Sequence, residues 1–129
     1  MKHLKSLEQF SFLDDSQISI FDELSKTKEY SKNTVLLKQG SIAENLIFLK
    51  SGITASIYET QSKRFVRDFY FEPHIFTEQQ SFIKKVPAKF SIISITDITC
   101  ELISFEDLDT LYDRIPKLRN IAYDMLLNG

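Results

Sequence analysis

The residues with the clearest chemical potential lie in one short stretch, Phe76-Thr77-Glu78-Gln79-Gln80, followed by Lys84, Lys85 and Lys89. A carboxylate there can accept hydrogen bonds, either from a ligand hydroxyl or, as a cap, from backbone N–H groups. Three lysines near an exposed loop can draw an anion or simply serve solubility. The two histidines, His3 and His74, stand far apart, with no Cys or acidic cluster at metal-ligand spacing, so no metal is expected. No serine sits in a nucleophile-elbow setting, and neither a Gly-rich phosphate loop nor a paired-carboxylate signature is present. The chain is therefore not expected to be an enzyme. Asp14-Asp15 reads as a helix cap, and Asp107 and Asp109 read as solvent-facing helix residues.

Composition narrows the function further. The chain has 129 residues, enough for one domain with its own core. Its hydrophobic fraction is 43%, with 11 Phe and no Trp, which argues for a packed, Phe-rich interior and against disorder. Sixteen basic residues against eighteen acidic ones leave a formal charge of −2, so the chain lacks the positive field that gripping a phosphate backbone needs. Cys100 is the single cysteine and lies between Ile98 and Leu102; it reads as a reduced, buried thiol of a cytoplasmic protein. The start Met1-Lys2-His3-Leu4-Lys5 runs into Ser6 and Glu8, not an apolar stretch, so no signal peptide or membrane span is expected.

The elements that must position these residues follow from periodicity. Asp14-Asp15-Ser16 offers capping oxygens ahead of Ile18, Phe21 and Leu24, which predicts a helix over about 16–25. From Thr27 to Phe105 the texture changes to short β-branched and aromatic runs broken at Asn33, Gly40, Gly52, Gln61-Ser62, Pro73 and Pro87. Strands are predicted over 34–37, 46–49, 53–59, 64–71, 90–95 and 99–104, with no helix between them, each with one face to bury and one to wet. In 64–71 the mostly apolar period-two set is Phe65, Arg67, Phe69 and Phe71. That number of strands favours a sandwich or jelly roll. Ser104 caps a helix over Phe105 to Tyr112, and Pro116 opens another segment in which Leu118, Ile121, Ala122, Met125 and Leu126 share one side. That stripe can pack on the sandwich or form half of a dimer seam.

The most informative stretch is Gly40 to Gly52. Two glycines bracket Leu46-Ile47-Phe48-Leu49, a short buried strand between tight turns. Gly40, Ile47-Phe48-Leu49 and Gly52 resemble the hairpin of the cyclic nucleotide-binding domain in catabolite-activator-type (Crp/Fnr superfamily) bacterial transcription regulators. The resemblance spans the first helix to Gly129. It implies a mainly β domain with flanking helices, a double-stranded β-helix or jelly roll, as a single unit over 1–129 that includes the start of a dimerisation helix at about 116–128. It further implies DNA contact only through a helix-turn-helix domain absent from this chain, and a homodimer through Leu118, Ile121, Ala122 and Met125.

The family's phosphate cassette, a Gly-Glu pair followed ten residues after the Glu by Arg, aligns with Thr77, Glu78, Gln79, Ala88 and Lys89. By that resemblance Glu78 matches the carboxylate that accepts from a ribose hydroxyl, while Ala88 stands where the Arg belongs and Thr77 where the Gly belongs. A methyl group offers no donors to a phosphate, and losing one side of a buried charge pair costs about 2–5 kcal/mol or more. Lys89, on the next strand position, is expected to point to the other face. Cyclic AMP is therefore not expected to bind, provided no other guanidinium, such as Arg64 or Arg67, is aimed into the pocket from a neighbouring strand. No cofactor is expected. The resulting expectation is a sensor domain that responds to an unknown effector or to none, the alternative being a ligand-independent structural or dimerisation module on the same fold.

Overall fold

A computed structural model describes residues 7–120. The strands are β1 (Lys26–Tyr30), β2 (Val35–Leu37), β3 (Asn45–Ser51), β4 (Ile53–Glu59), β5 (Arg64–Phe71), β6 (His74–Phe76), β7 (Ser91–Ser94) and β8 (Ile98–Ser104). They form a jelly roll of two four-stranded antiparallel sheets, one ordered β1-β8-β3-β6 and the other β2-β7-β4-β5. The helices are α1 (Asp15–Leu24), α2 (Gln79–Lys84) and α3 (Phe105–Arg114), with a 3-10 turn at Glu8–Phe10. The expected mainly β jelly roll with flanking helices is what the chain forms.

Local chemistry explains the helix ends. Asp14 accepts from the Gln17 backbone N–H at 2.8 Å, and the Gln17 side chain accepts from the Asp14 N–H at 3.0 Å, a reciprocal capping box for α1. Ser104 accepts from the Asp107 N–H at 3.1 Å and starts α3, with Glu106 and Asp107 in the favourable first turn.

The apolar run in β3 has no polar alternate because the strand is covered on both sides. Phe48, fully buried, packs with Phe10, Ile18, Phe21 and Ile103 and with Leu111 of α3 under the helices. Ile47 and Leu49 point the other way, into the sandwich among Phe76, Phe82, Ile92 and Cys100. Leu118 is 3% exposed and belongs to the same cluster as Phe48, so its side chain is spent in the chain's own core. Ile121, Ala122 and Met125 of the expected dimer helix, and His3, lie outside the described residues.

Four sequence expectations need correction. β1 and β6 were not expected as strands. β1 reads Lys-Thr-Lys-Glu-Tyr because it is an edge strand whose charged side chains face water and discourage further pairing. β6 has only three residues and gains its definition from pairing Ile47↔Phe76 and Phe48↔Ile75 on β3. A helix, α2, does interrupt the strand series; its six residues are too few to show a helical period. The fourth correction concerns β5, where no residue is fully buried and only Tyr70 is partly so. β5 is the edge strand of its sheet, which leaves it little to bury against, and a bulge also splits its period-two set: Ser56 pairs with Asp68 and Ile57 with Val66, leaving Arg67 as the extra residue. Phe65 then stacks beside Tyr58, while Phe69 and Phe71 lie tilted beside each other with 47% and 60% of their surfaces exposed.

Candidate functional site

The Gly40 turn holds the cassette in place. Gly40 N–H donates to Ala88 C=O at 2.8 Å, and Ala88 N–H donates to Ser41 C=O at 2.7 Å. Ser81 of α2 adds a third tie by accepting from the Ala43 N–H at 2.7 Å. The segment from Glu78 to Phe90 is therefore bolted to the turn that precedes β3, and its side chains face defined directions.

Glu78 is 4% exposed and caps α2. One carboxylate oxygen accepts from the Gln80 N–H at 3.0 Å and the other from the Lys89 N–H at 3.1 Å. The same side chain thus joins the start of α2 to the stretch that leads into β7. Glu78 and Lys89 line a cavity of about 500 Å³ together with Tyr58, Phe65, Arg67 and Phe90. Lys89 lies in a bend before β7, not on a strand, so the expected alternation with Ala88 does not apply there.

The other residues named from the cassette go elsewhere. Ala88, 3% exposed, packs in the apolar cluster with Leu37, Phe82 and Phe90. Thr77 donates its hydroxyl to Asn45 C=O at 2.9 Å and lines a separate cavity of about 270 Å³ near Tyr30 and Leu36. Gln79 opens α2 half-buried and lines neither cavity. Lys85 ends α2 with φ 58° and lays its ammonium 4.4 Å from the Phe105 ring, away from the cavity. Of the three lysines, only Lys89 reaches the cavity wall.

The condition set on other guanidiniums is not met. Arg64 lies beside Glu59 at 3.6 Å, but Arg67 stands on the cavity wall, its guanidinium 4.1 Å from the centre of the Phe90 ring and 3.4 Å from Ser56 Oγ. The bulge brings this about, since the extra residue in a bulged strand is re-aimed relative to its neighbours. An isolated sequence holds no sign of a bulge; the pairing of β4 with β5 had to be known first. Tyr58, Phe65 and Phe90 were likewise not expected at the site.

Cys100 is buried and its thiol is pushed up to about 11, first by burial and then by the nearby Glu101 carboxylate. Because the folded value exceeds the unfolded one, the folded state keeps a proton that the unfolded chain loses. Stability should be unaffected below the ordinary thiol range and fall as pH rises from about 9 to about 11. Denaturant titrations of the wild type and Cys100→Ala across that range check this; the slope should be shallower in the variant. Native Cys100 should also resist thiol reagents until the chain unfolds.

Among the described residues no cluster of His, Cys, Asp and Glu is arranged to hold a metal ion, and no helix is long and apolar enough to cross a membrane. A model of the cyclic nucleotide-binding domain matches residues 27–114, most of the chain, and the chain belongs to that family. No curated protein sequence matches it. Among solved structures, the Thermus thermophilus catabolite activator protein is similar with a TM-score of 0.80 at 16% identity, over 92% of this chain and 55% of that one. The sensor domain of the transcriptional regulator DNR from Pseudomonas aeruginosa is similar at 0.80 and 18% identity, over 98% and 85%. The N-terminal domain of a Streptomyces coelicolor transcriptional regulator gives 0.79 and 14%, over 96% and 89%. The chain spans about half the length of the Thermus activator. At these identities the likeness is one of fold: a cyclic nucleotide-binding domain with the jelly-roll architecture that these structures share.

Proposed function

We propose that this chain is the effector-sensing domain of a catabolite-activator-type transcription regulator and that it does not hold cyclic AMP as its family does. It performs no catalysis, works in the cytoplasm, and reaches DNA through a domain outside these residues, paired with a second copy through the helix that begins near Pro116. The observation that carries this reading is Ala88. The family resemblance assigns that position to the phosphate-binding Arg, yet here it is a methyl group 3% exposed among apolar side chains. A buried apolar position cannot neutralise a phosphodiester.

Calorimetric titration with cyclic AMP and with cyclic GMP tests the ligand half. No binding tighter than about micromolar is expected provided that Arg67, whose guanidinium lies on the cavity wall over Phe90, does not replace the cassette's cation, whose loss removes about 2–5 kcal/mol or more. A submicromolar constant for either would sink it. The regulator half is tested by the gene: the reading frame after Gly129 should encode a helix-turn-helix.

A further inference from the structure

The edges of the two sheets differ in how well they are guarded against another strand. β2 and β6 have three residues each, too few to template a partner, and β1 reads Lys-Thr-Lys-Glu-Tyr, with charge along its length. β5 has none of these protections. It ends its sheet, runs for eight residues without Pro, and exposes Phe65, Val66, Phe69 and Phe71. An exposed apolar edge of that length is a place where another strand adds.

β5 is also complementary to itself. When it lies antiparallel to a copy about a two-fold axis midway between Arg67 and Asp68, Arg67 stands opposite Asp68 of the second copy, and Asp68 opposite its Arg67. Val66 then faces Phe69, Phe65 faces Tyr70, and Arg64 faces Phe71. Every one of these is a favourable cross-strand combination: opposite charges, two apolar side chains, two aromatic rings, and a cation beside a ring. In a regular strand this register is forbidden, because residues an odd number apart point to opposite faces, whereas residues opposed across strands share one. The bulge at Arg67 removes the obstacle. Val66 pairs with Ile57 and Phe69 with Ala55, two residues apart on β4, so Val66 and Phe69 share a face. Phe65 and Tyr70, paired with Tyr58 and Thr54, share the other face with Asp68, which pairs with Ser56, and with Arg67, which reaches Ser56 Oγ at 3.4 Å. Both charges are open to a partner. Among the described residues neither Arg67 nor Asp68 forms a salt bridge, and one Asp68 oxygen accepts from the Phe69 N–H at 3.0 Å, which leaves the other for a donor.

We infer that the β5 edge docks a second copy of this chain, the two β5 strands pairing antiparallel into one continuous sheet with the reciprocal Arg67 and Asp68 contacts at its centre. The contact is isologous, the same patch on both copies, so through this edge it closes at two. Each partner contributes a single strand about 26 Å long. An interface of that size makes a reversible dimer, not an obligate one. It is separate from the helix pairing proposed above and does not depend on what the domain senses.

Sedimentation of the full chain from micromolar to millimolar concentration tests this, in a Met125→Glu background that puts a charge on the stripe assigned to helix pairing. Reversible dimerisation that persists in that background is expected. Arg67→Asp and Asp68→Arg should each weaken it roughly 10-fold or more, because each sets like charges opposite one another at two symmetric places. The double variant restores opposite charges and should return the association to within about threefold of the parent. Lys28→Asp, a charge reversal on the β1 edge, should change it less than about twofold. Amide exchange in β5 should slow as the concentration rises, which a dimer formed elsewhere would not cause. A chain that stays monomeric, association that Met125→Glu abolishes, single reversals without effect, or a double reversal that fails to recover would each overturn the inference. None of these outcomes bears on the Ala88 reading, which the nucleotide titrations test.

Discussion

Gly52→Ala should destabilise this domain more than Gly40→Ala does, at a cost of about 4 kcal/mol. Two penalties coincide at that position. The backbone has φ 99°, a shape in which an L side chain is strained by about 1–3 kcal/mol. A Cβ there would also lie 2.5 Å from Asp97 C=O, 2.7 Å from Ile98 Cγ2 and 2.8 Å from Thr96 Oγ1. The first of these is backbone in the β7–β8 connection, which cannot swing aside as a long side chain would, and overpacking of this kind adds about 1–3 kcal/mol. Gly40 provides the control. Its φ of 90° is similar, but nothing lies within 4 Å of a Cβ placed on it. Gly40→Ala should therefore cost only about 1–2 kcal/mol. Urea unfolding of both variants checks the contrast; equal losses would show that the Asp97 contact relaxes freely.

Phe48→Ala should cost about 3–5 kcal/mol, a large part of the 5–15 kcal/mol that a domain of this size commonly has. Phe48 is fully buried where β3 meets the helical layer, and its ring touches the cluster that includes Phe21, Ile103 and Leu111. Truncation leaves a cavity between sheet and helices that neither can fill without breaking its own hydrogen bonds. The denaturation midpoint should fall with little change in its steepness. Amide exchange should quicken first in α1 and α3, the helices that lose their shared contact. Phe71→Ala is the comparison: with 60% of its surface exposed, it should change stability by less than about 0.5 kcal/mol. A similar loss in both would mean that the aromatic edge of β5 carries more of the fold than its exposure indicates.

Local signals were dependable wherever the determining contacts are close in sequence. Asp14 and Ser104 cap the helices they were expected to cap, and β4 and β5 begin and end where alternation and turn residues placed them. β1 was hidden because an edge strand needs no apolar face, and α2 because six residues show no period. The site divided along the same line. Glu78 was legible as a carboxylate with a cap or ligand role, and the missing cation at Ala88 was legible by resemblance. Arg67 could only be named as a possibility.

Its placement depends on one unpaired residue between Ser56 and Ile57 on the partner strand, and register between strands is settled by the whole sheet. By itself the sequence determined the run of strands and the turn glycines, consequences of residue type and short-range spacing, while the jelly roll and the guanidinium expected at position 88 came from the family resemblance. Only the tertiary structure decided which side chains share the cavity, because a single bulge in β5 reverses the faces of every residue on one side of it and sets the exposed Arg67 guanidinium over Phe90.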